Sequence, residues 1–195
     1  RSVLKKDEVT IGLDTTGESL HKRGYRKLTA KAPIAENLAA ALIMLTPWKA
    51  DRILVDPFCG SGTIPIEAAM IALGIPAGGK REFDFSFWSD ECRKILDEER
   101  EKAISGIDEK KEIRISGFDI DEKQIRLARR HAELAGVDRF IHLQRADMRD
   151  FSSRFSHGVV ISNPPYGERL LHVKAAEELY TVMGQRFKEG CGRKY

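Results

Sequence analysis

Apolar positions along this chain fall into short runs separated by amphipathic stretches of helix length. Residues 9–13 alternate as a strand does, and Asp14-Thr15-Thr16-Gly17 after them is turn chemistry. Residues 20–25 read as a second extended piece, so residues 1–31 are expected to form an N-terminal extended arm or β-hairpin. Pro33, after Ala32, stands where a helix opens. The apolar run 38–45 reads as a buried helix that ends before Pro47. Residues 52–56 predict a strand, and Thr63–Leu73 a helix closing at Gly74. Further strands are expected over 113–118, 140–143 and 159–162. Asp121 caps a helix that runs to Ala135 and stops at Gly136, and a last helix covers about 174–188.

Residues 74–111 interrupt this alternation. They hold a Gly/Pro loop, an aromatic stretch over 83–88 and a charged helix that Ser89 caps and that reaches about Ala103. This reads as an insertion into a core spanning 32–195, with the aromatics forming a local mini-core under the inserted helix rather than a surface for stacking bases. From residue 52 onward strand follows helix, which predicts an α/β fold with a doubly wound, mostly parallel sheet. Ligands in such sheets bind beyond the carboxyl ends of the strands. Asp56, Asp119, Asp147 and Asn163 each fall at the end of an expected strand, a convergence that packing alone does not require.

Composition narrows the classes. With 42% hydrophobic and 32% charged residues the chain is an ordinary folded type, and its 195 residues suit one α/β domain. No apolar run approaches the roughly 18 residues that cross a bilayer, and no signal peptide opens the chain, so the expected compartment is the cytoplasm. Cys59, Cys92 and Cys191 are odd in number and have no paired spacing, which argues against a disulfide framework and a zinc site. The histidines are scattered, so no metal is expected. Net charge is only +3, yet residues 1–31 carry eight Lys/Arg against four acids. This arm can meet phosphates or simply be a solvated entry segment.

The chemistry sits in two loops. Asp56-Pro57-Phe58-Cys59-Gly60-Ser61-Gly62-Thr63 follows a strand and opens a helix. Gly60 and Gly62 let the backbone turn sharply and approach a ligand closely. The loop lacks the Gly-Lys-Ser/Thr ending of a triphosphate site, and Asp56 before the glycines repels phosphate but suits a cation. S-adenosylmethionine has an ammonium and a sulfonium and no phosphate. Asp119 follows Asp56 by 63 residues rather than the roughly 20 of a generic dinucleotide fold, because 74–111 intervene. At a strand end it can accept two hydrogen bonds from a ribose diol. Asp121 is a helix cap, and Asp147, in Ala146-Asp147-Met148, can accept from an adenine amino group. In Asn163-Pro164-Pro165-Tyr166, two prolines fix the backbone and remove two N–H donors. The Asn163 side-chain oxygen and the Pro164 carbonyl can grip both hydrogens of an amino group, and Tyr166 offers a face to a base rotated out of its stack.

The Asp56–Thr63 loop followed by Asn163-Pro164-Pro165-Tyr166 resembles the class I S-adenosylmethionine-dependent amino-methyltransferases. His21-Lys22-Arg23-Gly24-Tyr25-Arg26, Ala32-Pro33-Ile34-Ala35-Glu36-Asn37-Leu38 and Asn163-Pro164-Pro165-Tyr166-Gly167-Glu168-Arg169 are together similar to the RNA guanine-N2 methyltransferases that usually carry an N-terminal THUMP domain. The likeness covers nearly the whole chain. It implies a Rossmann-like class I methyltransferase fold, S-adenosyl-L-methionine as cofactor, and methylation of a guanine N2 in RNA, ribosomal RNA before transfer RNA. It assigns Asp56, Pro57, Phe58, Gly60, Gly62 and Thr63 to the methionine part of the cofactor and Asp119 to the ribose. Ile120 packs on the adenine, Asp147 binds its amino group with Met148 beside it, and Asn163, Pro164 and Tyr166 hold the target base at the cofactor's reactive end. It places Arg23, Tyr25 and Arg26 near the cofactor or substrate entrance; a structural tie of the arm is the other reading. Cys59 reads as a small buried residue. Such folds normally have seven strands and four are placed here, so a fragment is expected. Three rivals stand: adenine-N6 methylation of nucleic acid, methylation of a protein glutamine, and a non-catalytic RNA-binding module. No membrane partner is expected, and oligomeric state is not legible.

Overall fold

The computed structural model describes residues 2–26, 34–152, 157–166 and 173–190. Its chain opens with an antiparallel hairpin of β1 (Ser2–Lys5) and β2 (Glu8–Ile11). The turn is Lys6-Asp7, with φ of 49° and 63°, the left-handed backbone that two-residue hairpin turns require. Neither residue is the Gly or Asn that usually marks such a turn, so the sequence carries no signal for β1. The extended piece expected over 20–25 is not a strand: the Lys22 N–H donates to the Ser19 carbonyl at 3.0 Å, and Gly24 takes a φ of 92°.

Beyond the arm come α1 (Glu36–Leu45), β3 (Ile53–Asp56), α2 (Thr63–Leu73), α3 (Asp90–Ser105), β4 (Ile115–Asp119), α4 (Glu122–Ala135), β5 (Ile141–Arg145), β6 (Gly158–Val160) and α5 (Val173–Gly190). The last four strands form one parallel sheet in the order β5-β4-β3-β6. The chain steps outward from β3 to β4 to β5 and then returns to β6 on the other side of β3. That reversal opens a crevice at the carboxyl ends of β3 and β6, the usual ligand position in a Rossmann-like fold.

Helix α2 fills the centre between α1 and α4. Ile64, Ile66, Ala68, Ala69 and Leu73 are all but inaccessible. They share one core with Leu54 of β3, Ile115 of β4 and Ile125, Ala128 and Ala132 of α4. Burial on nearly every side explains why α2 is apolar almost throughout rather than striped. Pro65 is tolerated because it lies in the first turn, where its missing N–H has no intrahelical partner to lose. The expected caps form: Ser89 accepts from the Cys92 N–H at 3.1 Å and Asp121 from the Lys123 N–H at 2.8 Å.

Other elements differ from expectation. In α1 only one side is covered: Ala39 and Ile43 are buried, while Leu38, Met44 and Leu45 are 51%, 75% and 84% exposed. An apolar run predicts burial of a whole helix, but among the described residues α1 is covered by α2 on one side and by Arg26 of the arm at Glu36, which leaves Leu38, Met44 and Leu45 open. Within 74–111, Phe83 and Phe85 face each other at 6.0 Å over the buried Ser86. Phe87 and Trp88, by contrast, point outward, 67% and 52% exposed, so the expected mini-core holds only half of the aromatic stretch. Ala32 and Pro33, Lys27 and Lys31 of the arm, His172, Cys191 and Gly167-Glu168-Arg169 lie outside the described residues. Among the described residues no helix is long and apolar enough to cross a membrane.

Candidate functional site

The crevice holds a cavity of about 450 Å³ whose wall is built from the ends of all four parallel strands. The loop after β3 forms its floor. The Cys59 N–H donates to the Phe118 carbonyl at 2.8 Å, stitching the loop to β4. The Gly60 N–H donates to Asp119 Oδ2 at 3.0 Å, and the other oxygen of Asp119 accepts from the Asp121 N–H at 2.9 Å. Gly60 has a φ of 52° and open space where a Cβ would stand, so it turns the loop without narrowing the cavity. Gly62, at φ 85°, serves packing instead: a Cβ there would meet that of Ala128 at 2.9 Å.

Asp56 closes β3 and is nearly sealed, 1% exposed. One of its oxygens accepts from the Ser162 hydroxyl at 2.6 Å and from the Phe58 N–H at 3.1 Å. Ser162 immediately precedes Asn163, so this carboxylate ties the floor loop to the Asn-Pro-Pro-Tyr loop. Burial pushes the Asp56 carboxyl up to about 7, against the two hydrogen bonds that favour its charged form. Burial also raises Asp119, again against its backbone hydrogen bonds. Cys59 is buried, and burial followed by the two nearby carboxylates holds its thiol well above the ordinary range. It is a packing residue, as its place in the loop predicts.

The remaining walls come from β4, β5 and β6. Ile120, 59% exposed, presents an apolar face beside Asp119. Asp147 caps a short turn, accepting from the Arg149 N–H, and pairs with the Arg149 guanidinium at 2.9 Å. Met148 is buried behind it. Asn163, Pro164, Pro165 and Tyr166 line the opposite side. Tyr166 is 46% exposed, and the Pro165 carbonyl is held from behind by the Tyr180 hydroxyl of α5 at 3.3 Å.

The structure thus brings Asp56, Pro57, Phe58, Gly60, Thr63, Asp119, Ile120, Asp147, Met148, Asn163, Pro164 and Tyr166 to one cavity, and leaves Gly62 out of its lining. Gln124 and Arg149 also line it and were not expected. Gln124 had a signal, since it follows the cap Asp121 by three residues and so shares its helix face. Ser162 had none, because its partner is 106 residues away. Arg23, Tyr25 and Arg26 do not line the cavity. Tyr25 is buried and donates to Glu67 of α2 at 3.0 Å; Arg23 pairs with the same carboxylate at 3.6 Å; and Arg26 reaches Glu36 at 3.2 Å. They tie the arm to the core.

Among the described residues, four aspartates line the cavity against one cation, Arg149. Among the described residues no three His, Cys, Asp or Glu side chains converge to hold a metal ion. A lining rich in acceptors, with apolar faces at Ile120 and Tyr166, suits a ligand that is cationic or rich in N–H and O–H donors and that carries planar groups.

Residues 23–194 match the family model described as RMKL-like, methyltransferase domain. YpsC of Bacillus subtilis (strain 168), named for RNA methylation, is 43% identical over 95% of this chain and 48% of its own length. The ribosomal RNA large subunit methyltransferase K/L of Shewanella pealeana is also 43% identical, over 97% of this chain and 27% of its own. This chain therefore spans about half or less of the curated relatives it matches. Among solved structures, SMU.472 in complex with SAH is 44% identical with a TM-score of 0.89, covering 97% of this chain and 49% of that one. A Listeria monocytogenes (str. 4b F2365) protein named as a predicted N6-adenine-specific DNA methylase has the same TM-score of 0.89 at 43% identity, over 96% and 50% of the two chains.

Proposed function

Because this chain belongs to the RMKL-like methyltransferase domain family, we propose that it is the catalytic domain of an S-adenosylmethionine-dependent RNA methyltransferase that modifies the N2 amino group of a guanine in ribosomal RNA. One observation carries the reading: the Asn163-Pro164-Pro165-Tyr166 loop and the acid-lined floor of Asp56 and Asp119 face one cavity.

The residues present suit the cofactor. Its sulfonium and ammonium are cationic and its ribose and adenine offer hydrogen-bond donors, while the lining offers acceptors. When bound, it supplies an electrophilic methyl group. Asp119 accepts from the ribose hydroxyls with the lone pairs its two backbone bonds leave over. Ile120 covers one adenine face, and Asp147 takes the adenine amino group. Asp56, too deep for wide contact, sets the potential of the floor and anchors Phe58 and Ser162. On the other side Tyr166 stacks on the extruded base. The Asn163 amide oxygen and the Pro164 carbonyl accept the two amino hydrogens, which turns the nitrogen lone pair toward the methyl group. Catalysis then consists of alignment and electrostatics; the methylated nitrogen gives up its extra proton to water afterwards, so no strong general base is needed.

We divide the chain into an arm (1–31) and a core (32–195) with 74–111 inserted, and assign it to the cytoplasm. The test is full-length protein incubated with methyl-labelled cofactor and total RNA, DNA or protein, followed by nucleoside mass spectrometry. N2-methylguanosine in ribosomal RNA is the expected product. The name of the Listeria relative favours a second reading, adenine-N6 methylation, and N6-methyladenosine as the product would establish it in place of the first. Label in protein alone would mean a glutamine substrate. Cofactor binding without transfer by the full-length protein would mean a non-catalytic module.

A further inference from the structure

The floor loop is held on its outer side by α4. Ser61, in the middle of the loop, lies 3.0 Å by its carbonyl from Nδ1 of His131, whose side chain is fully buried. A carbonyl can only accept, so Nδ1 carries the proton and donates. One turn earlier on α4, Ala128 fills the space that Gly62 leaves. On its other side the His131 ring meets the Tyr25 ring, with centroids 6.4 Å apart and planes tilted by 59°. Tyr25 is in turn fixed by its hydroxyl to Glu67 on α2, which Arg23 also reaches. Two elements distant in sequence, the arm and α4, therefore meet at one imidazole, and that imidazole holds the loop.

We propose that His131 is a positioning residue of the cofactor loop: its Nδ1–H fixes the Ser61 carbonyl, and the Tyr25 ring fixes the imidazole. The loop's N–H groups and its Gly60 turn owe their direction to backbone torsions on either side of Ser61. Losing the donor releases those torsions in the free protein, so a ligand must order them on binding. The inference rests on the reading of this cavity as the cofactor site. It concerns His131 alone and asks nothing of the transferred methyl group.

The test is calorimetric titration of the full-length protein with S-adenosylhomocysteine, comparing wild type, His131→Leu and His131→Asn. Leu keeps the bulk and loses the donor; the Asn amide N–H lies close to where Nδ1 stands. His131→Leu should weaken binding about tenfold, the worth of one buried hydrogen bond, and His131→Asn should bring it back to within about threefold of wild type. In parallel, nitrogen-15 NMR should show His131 as the Nδ1–H tautomer, and its Nδ1–H resonance should shift when the ligand binds. A purely structural histidine would not report ligand in this way. If His131→Leu fails to fold, His131→Asn and the resonance carry the test. Wild-type binding with unchanged affinity in a folded His131→Leu, or an Nδ1–H resonance indifferent to ligand, overturns the proposal. A wild-type protein that does not bind the probe overturns the cofactor reading instead, and the proposal with it.

Discussion

Asn163 is exposed within the cavity lining, while the Pro165 carbonyl two residues on is held by Tyr180 of α5. Asn163→Ala should therefore remove one acceptor and leave the loop standing. Cofactor affinity should barely change, and the rate should fall by a factor on the order of 10², because an oriented hydrogen bond is worth most in the transition state. Single-turnover kinetics on the full-length enzyme, with calorimetry for the cofactor, checks both halves. Asp119 is a different case. Its carboxylate already holds the Gly60 and Asp121 N–H groups, so Asp119→Ala should cost loop order as well as the ribose contacts proposed for it. S-adenosylmethionine binding should weaken by about 1.5–3 kcal/mol, the range for hydrogen bonds to a charged group. Unchanged affinity in a folded variant would remove Asp119 from the site. Both residues were legible in the sequence, since each falls at or just beyond a strand end. The deep burial of Asp56 was not, because exposure depends on what closes over a residue.

The caps and lengths of α2 and α4 follow from local signals, Gly74 and Gly136 at their ends and Asp121 before α4. Helix α3 is different in kind. It is amphipathic and charged, it buries only Leu96, and it contributes nothing to the cavity. Its own ties run to the loop before it, with Arg100 donating to the Arg81 carbonyl at 2.7 Å, and that loop in turn reaches the arm, where Arg81 donates to the Thr16, Glu18 and Ser19 carbonyls. Shortening α3 within residues 97–102 should cost stability in the arm and leave cofactor affinity within about twofold, a change of about 0.4 kcal/mol. A large loss of affinity on titration would show that α3 braces the cavity through the arm.

Across the whole molecule, the raised carboxyls make stability depend on pH. Burial holds Asp56 up to about 7 in the folded state, against about 3.9 in an unfolded chain. Between those values the folded protein keeps a proton that the unfolded chain has released. Raising the pH through this window therefore favours unfolding, by at most about 1.4 kcal/mol per pH unit from this one group, and the effect ends above about 7. Asp119 and Glu67, also raised by burial, act in the same direction. Denaturant titrations of the ligand-free protein at pH 5 and 7.5 should show the decline, and Asp56→Asn should flatten it. A variant with the wild-type slope would mean that Asp56 does not carry this proton. A bound cation beside Asp56 favours its charged form, so cofactor binding near neutral pH should release protons, detectable as a buffer-dependent binding enthalpy.

By itself the sequence determined the parallel α/β order, the glycine loop, the helix caps and the acids and Asn-Pro-Pro-Tyr at the strand ends. Each of these rests on torsional preference or on periodicity within a dozen residues. Tertiary structure alone decided which side chains meet across longer spans: Tyr25 with Glu67 over 42 residues, His131 with Ser61 over 70 and Ser162 with Asp56 over 106. It also moved Gly62 from the cavity wall to a helix contact, left half of α1 uncovered by the described residues and turned Phe87 and Trp88 outward. Periodicity says that a residue has an inner face, but the partner on that face is set by the order in which strands lie in the sheet. The return of the chain from β5 to β6 beside β3 is what joins Asp56 to Ser162, and no local pattern encodes that step.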